Sequence, residues 1–126
     1  MTVTIASITV DCEDALTVAT FWSAALGRPL DPGGNSEFAR IGFAGRRGRE
    51  GWAPANEPTW MFGKVPEPKT AKNRMHLDVI APDPDAEVKR LISLGATRVR
   101  DMNVYGYTWT VMHDPEGNEF CVGRAL

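Results

Sequence analysis

The sequence predicts an α+β fold made of two βαβββ modules, residues 1–66 and 67–126, which curve a sheet around a trough. Three observations carry that prediction. Ser7–Val10 (SITV) and His76–Val79 (HLDV) stand at matching places in the two halves. Each is followed by an aspartate, Asp14 or Asp83, and then by a leucine–glycine pair, Leu26-Gly27 or Leu94-Gly95. Beyond each pair come segments that alternate like strands. The matching order of elements, more than residue identity, marks the repeat.

The first strand of each half has a period of two. Ile8 and Val10 face one way and Ser7, Thr9 and Asp11 the other. In the second half Met75, Leu77 and Val79 oppose Arg74, His76 and Asp78. Such alternation places one face on a dry core and leaves the other for something more polar, where a ligand can sit. A helix follows each strand. Asp14 and Asp83 suit its N-cap, Pro84 its first position, and Gly27 and Gly95 the residue after its end, where positive φ is needed. Residues 15–26 carry no charge, so this helix is expected to be buried over most of its surface, with Phe21 and Trp22 in the core. The second helix turns Val88, Leu91 and Ile92 inward and Glu87, Lys89 and Arg90 outward.

Strands are expected next at 36–43 and 59–65, joined by a long loop, 45–58, rich in Gly, Pro and Arg. The second half continues with strands at 97–100, 107–113 and 118–124. Asp114-Pro115-Glu116-Gly117 reads as a type I turn between the last two. Each module thus buries one face of a small sheet on its helix, and two modules side by side form the trough.

At 126 residues, 43% hydrophobic and 24% charged, the chain has the composition of a single globular domain. Its net charge of −2 argues against nucleic acid as a partner. No stretch is apolar enough for a membrane span, and the first residues lack the pattern of a signal peptide. Two cysteines, Cys12 and Cys121, are too few for a disulfide scaffold or a four-cysteine zinc site. A cytoplasmic setting with reduced thiols is the expectation.

Three segments carry a family resemblance: ITVDCEDALTVATFWSAALG (8–27), NRMHLDV (73–79) and WTVMHDPEGNEFCV (109–122). They resemble the vicinal oxygen chelate superfamily of glyoxalase I, bleomycin-resistance proteins and extradiol dioxygenases. VPEPKTAKNRMHLD (65–78) is similar to a glyoxalase-like subgroup common in actinobacteria. The resemblance implies a metal held by four ligands, one from each of four strands, at which a substrate's neighbouring oxygens bind and are polarised. It puts the first ligand at Ser7, the second in 59–65, the third at His76 and the fourth at Cys121. Trp60, Met61, Phe62 and Gly63 supply no ligand. The quartet is therefore expected to be broken, with no cofactor, or with a divalent ion at His76 if a metal is bound.

His76 is the candidate catalytic residue, an acid or base with Asp78 beside it. Ser7, Trp60, Phe62, Arg74, Asp78 and Cys121 are candidate ligand-binding residues. Either Trp60 with Phe62 or Met61 with Gly63 faces the trough, and the alternative set is core. Arg74 binds an anionic ligand or pairs with Asp78 or Glu119. Cys121 is a soft ligand, a nucleophile or a buried structural thiol. Arg46, Arg47 and Arg49 cover the trough as a lid or are solvated. Two functions follow, beside a third reading in which the domain only builds interfaces. One is a metal-free protein that captures a small organic molecule; the other is a lyase or isomerase in which His76 moves a proton. The resemblance also implies a homodimer.

Overall fold

The computed structural model describes residues 2–3, 5–44 and 57–124. Its elements, in chain order, are β1 (Ser7–Cys12), α1 (Ala15–Leu26), β2 (Phe38–Ile41), β3 (Thr59–Lys64), β4 (Leu77–Ala81), α2 (Pro84–Ser93), β5 (Thr97–Val104), β6 (Tyr107–His113) and β7 (Glu119–Arg124). They fall into two compact units, residues 1–68 and 69–126. Most of the loop expected at 45–58, with Arg46, Arg47 and Arg49, lies outside the described residues.

In the first unit β1 runs parallel to β3, which is antiparallel to β2. Asp14 caps α1, its carboxylate accepting from the Thr17 N–H at 3.1 Å. Gly27, at φ 67°, ends the helix as its position required. Val18, Ala19, Phe21 and Trp22 turn to the sheet, while Leu16, Thr17 and Thr20 are exposed. The strand expected at 36–43 forms as β2, and Leu30 adds only a single bridge to its last residue, Ile41. Pro29 and Pro32 flank Leu30 and lack the N–H groups with which a ladder would extend.

The second unit carries the complete module. Its sheet has the order β4-β7-β6-β5, with β4 and β7 parallel and the other pairs antiparallel. The first strand of each unit therefore lies parallel to the last, the topological form of the repeat. Asp83 caps α2 through the Ala86 N–H, and Pro84 occupies the first turn. Val88 and Leu91 are buried with Met112, Phe120 and Val122, each of which is almost sealed from solvent. Sealing a side chain of this size contributes about 1.5–3 kcal/mol. Ile92, expected inward, is exposed. The Asp114–Gly117 turn forms as anticipated, with the Gly117 N–H on the Asp114 carbonyl at 2.9 Å.

Two boundaries next to the hollow described below differ from the sequence reading. β5 runs on to Val104, and β4 starts only at Leu77. Arg74, Met75 and His76 therefore precede the strand, and Met75 is 86% exposed rather than on the core face. The approach to β4 is held elsewhere: the Asn73 N–H donates to the Glu119 carboxylate at 2.9 Å.

Candidate functional site

The pleat of the second sheet turns Phe120, Val122 and Met112 to the core, so their neighbours Glu119, Cys121, Gly123 and Val111 face the other way. On that face lies a hollow of about 450 Å³. Two rows of side chains cross all four strands beneath it. Asp78, Cys121, Val111 and Arg100 form one, and Ile80, Gly123, Trp109 and Met102 the next. His76, Lys72 and Glu119 complete one end. Gly123 leaves the floor open beside Trp109, whose Cβ lies 3.9 Å from where a side chain would begin.

Polar chemistry gathers at the β4–β7 side. His76 Nδ1 lies 3.3 Å from Asp78 Oδ1. One donor atom from each of His76, Asp78 and Cys121 falls within 4.8 Å of the others. Burial pushes the Cys121 thiol above its usual range, and the charge and hydrogen bond of Asp78 push the same way; Lys72 and Arg100 oppose them. The thiol is thus held protonated, which favours a structural over a nucleophilic role. Glu119 behaves oppositely. Burial alone would raise its pKa, but the backbone N–H groups of Asn73 and Glu119 and the Lys69 ammonium, 3.1 Å away, bring it down to about 2. It is a fixed anion, already partnered, that ties the chain before β4 to β7. His113 Nε2 stands 3.9 Å from the same carboxylate.

Of the residues singled out from sequence, His76, Asp78 and Cys121 come together. Trp60 and Phe62 do not join them: they are 5% and 0% exposed, on the face of β3 turned to α1. Trp60 lies between Trp22, at 5.3 Å, and Phe62, at 6.0 Å. The open choice on β3 thus resolves to core aromatics, with Met61 and Gly63 on the opposite face. Arg74 is exposed, lies outside the strand, does not line the hollow, and makes no ion pair with Asp78 or Glu119 among the described residues. Ser7 begins β1 in the first unit, and its buried Oγ makes no hydrogen bond among the described residues. Sequence reasoning missed Lys72, Ile80, Arg100, Met102, Trp109 and Val111. Alternation along β6 could have supplied Trp109 and Val111, since they share a face with His113.

Residues 7–123 match the family of glyoxalase-like domains. The chain belongs to that family. No curated protein matches it. Solved structures with the same fold include a glyoxalase/bleomycin resistance protein/dioxygenase family enzyme from Burkholderia phytofirmans PsJN, at 16% identity and TM-score 0.70 over 96% of this chain and 98% of that one. A bleomycin-binding protein from Streptomyces verticillus aligns at 17% identity and TM-score 0.60, covering 100% and 99% of the two chains. A lactoylglutathione lyase from Agrobacterium tumefaciens aligns at 13% and 0.62, covering 97% and 93%. At these identities the likeness is one of fold. The family match over residues 7–123, together with this fold, supports the vicinal oxygen chelate superfamily expected from the sequence.

The superfamily's four-ligand metal does not fit the residues of this glyoxalase-like domain. Ser7 offers a neutral hydroxyl, and the face of β3 that is turned away from the core offers only a thioether and a glycine. What remains is the His76–Asp78–Cys121 trio of the second unit, one nitrogen, one oxygen and one sulfur.

Proposed function

We propose that this glyoxalase-like domain binds a small organic molecule in the hollow of its second sheet, without the four-ligand metal of glyoxalase I. The observation that supports this reading most is the pairing of an apolar floor with one polar end. Ile80, Met102, Trp109 and Val111 provide surface for a flat or apolar body, and His76 and Asp78 provide hydrogen bonds that orient it. A volume of about 450 Å³ suits a drug-sized or metabolite-sized ligand. That the fold serves a bleomycin-binding protein agrees with such a role. A cytoplasmic homodimer, with neither nucleic acid nor membrane as partner, belongs to the same reading. Among the described residues no helix is long and apolar enough to cross a membrane.

A second reading is a lyase or isomerase, a class represented in this fold by the lactoylglutathione lyase. Its support is the His76–Asp78 contact. A carboxylate beside Nδ1 favours the tautomer that leaves Nε2 free to take a proton. His76 would then remove a proton from a carbon next to a carbonyl and return it to a neighbouring atom.

A thermal-shift screen of organic metabolites, followed by calorimetry on untagged protein, tests the binding reading. A ligand of the native state raises the melting temperature, and His76→Ala or Trp109→Ala cancels the rise. Metal analysis accompanies it. Well under one equivalent of Zn, Ni, Mn or Fe is expected; a full equivalent that His76→Ala releases would overturn the metal-free assignment.

A further inference from the structure

The β5–β6 ladder contains one irregularity, and it lies beside the hollow. Thr97 pairs with His113 and Arg98 with Met112, but the next pair is Arg100 with Val111. Val99 is left over as a β-bulge. Bulges re-aim the side chains that follow them. Arg98 shares a face with the buried Met112, the core side of the sheet. Strict alternation would put Arg100 there too and turn Asp101 to the hollow. The extra residue reverses this. Arg100 and Met102 line the hollow, while Asp101 pairs with Thr110 on the other face and binds Arg98. The bulge thus exchanges a carboxylate for a guanidinium in the hollow.

Among the described residues no anion pairs with that guanidinium. Of the two carboxylates lining the hollow, Glu119 is engaged by Lys69 and the Asn73 N–H, and Asp78 by His76. Asp78 stands three strands from Arg100, roughly 14 Å at the usual strand spacing. Among the described residues Lys72, the other cation of the lining, hydrogen-bonds only to a backbone carbonyl, that of Asn73. Arg100 and Lys72 both act on the Cys121 thiol, so their fields reach the middle of the floor. Between Arg100 and the His76 end lie Val111, Trp109 and Met102.

Resting on the binding reading above, we propose that the ligand is an organic anion, anchored at Arg100. Its negative group, a carboxylate, sulfonate or phosphate, takes the planar fork of Arg100. Its apolar body lies over Trp109, Met102 and Val111, and its far end reaches His76 and Asp78. Arg100 then selects which flat molecules are held, and the bulge at Val99 is the device that puts it there.

The test uses two fluorescent probes with the same rings, anilinonaphthalene sulfonate and its uncharged counterpart N-phenyl-naphthylamine, titrated into the full chain. The wild type is expected to bind the sulfonate more tightly. Arg100→Gln should weaken the sulfonate about tenfold, the loss expected for one charge-assisted contact, and leave the uncharged probe unchanged. Arg98→Gln, which removes the same charge from the other face, should alter neither. Trp109→Ala should weaken both. The anchor is overturned if Arg100→Gln spares the sulfonate, weakens both probes alike, or acts no more strongly than Arg98→Gln. If neither probe binds, or if Trp109→Ala leaves both unaffected, the hollow is no binding site and the proposed function fails with the anchor.

Discussion

The indole of Trp22 stacks on that of Trp60, with centroids 5.3 Å apart and planes 29° from parallel. This contact joins α1 to β3 and continues into Phe62 on one side and, edge-on, Phe21 on the other. Such a stack adds roughly 0.5–1.5 kcal/mol per pair beyond the burial of the rings themselves. Trp60→Ala should therefore lower stability by about 3–5 kcal/mol, the cost of emptying an aromatic site in a core. Urea unfolding measures it. A variant as stable as the wild type would mean that Trp60 is not core, and would return it to the list of ligand-binding residues.

The fold was legible because its signals are local. Asp14, Gly27, Asp83, Pro84 and the Asp114–Gly117 turn each act within a few residues of themselves, and the periods of β1 and α1 need no partner to be read. The site was legible only in part. His76 and Asp78 share a face by simple alternation, and family resemblance supplied Cys121. Arg100 could not be found this way, since the bulge at Val99 breaks the parity on which alternation depends. Trp60 and Phe62 were ambiguous for a related reason. A strand gives two faces, and only the position of α1 decides which is dry.

The Asp114 turn gives a second stability prediction. Its carboxylate is 3% exposed and accepts from the Glu116 and Asn118 N–H groups at 2.9 and 3.0 Å and from the Asn118 side chain at 2.9 Å. Asp114→Ala strands all three donors and should cost about 2–3 kcal/mol. Asp114→Asn keeps an acceptor and should cost less. Equal midpoints for the two variants in urea would show that the turn does not depend on the carboxylate.

Glu119 predicts how stability varies with acid. Its pKa falls from 4.5 to about 2 on folding, so its contribution is complete above about 4.5 and fades as pH drops toward 2. Allowing for solvent screening, that contribution is about 1–2 kcal/mol. Glu119→Gln should therefore destabilise the protein near neutral pH, and the gap between variant and wild type should close as the solution is acidified. Urea midpoints across the range measure this. A gap that stays constant would mean that Glu119 does not carry the linkage.

Cys121 gives the most direct probe of the polar end. Asp78 adds to the burial that keeps its thiol protonated. Only the thiolate is alkylated, so Cys121 should react with iodoacetamide more slowly than free cysteine at neutral pH. Its rate should keep rising as pH passes the ordinary thiol range. Asp78→Asn removes the negative charge, lowers the thiol pKa and should speed the reaction severalfold, because Lys72 and Arg100 then act less opposed. Cys12, whose thiol donates to the Gly63 carbonyl at 3.4 Å in the first unit, serves as an internal reference when the two sites are read separately by mass spectrometry. Arg100→Gln should slow Cys121 for the same electrostatic reason that Asp78→Asn quickens it. If both substitutions moved the rate in one direction, altered access rather than charge would control the thiol, and the arrangement of Asp78, Cys121 and Arg100 in one row would lose its chemical meaning.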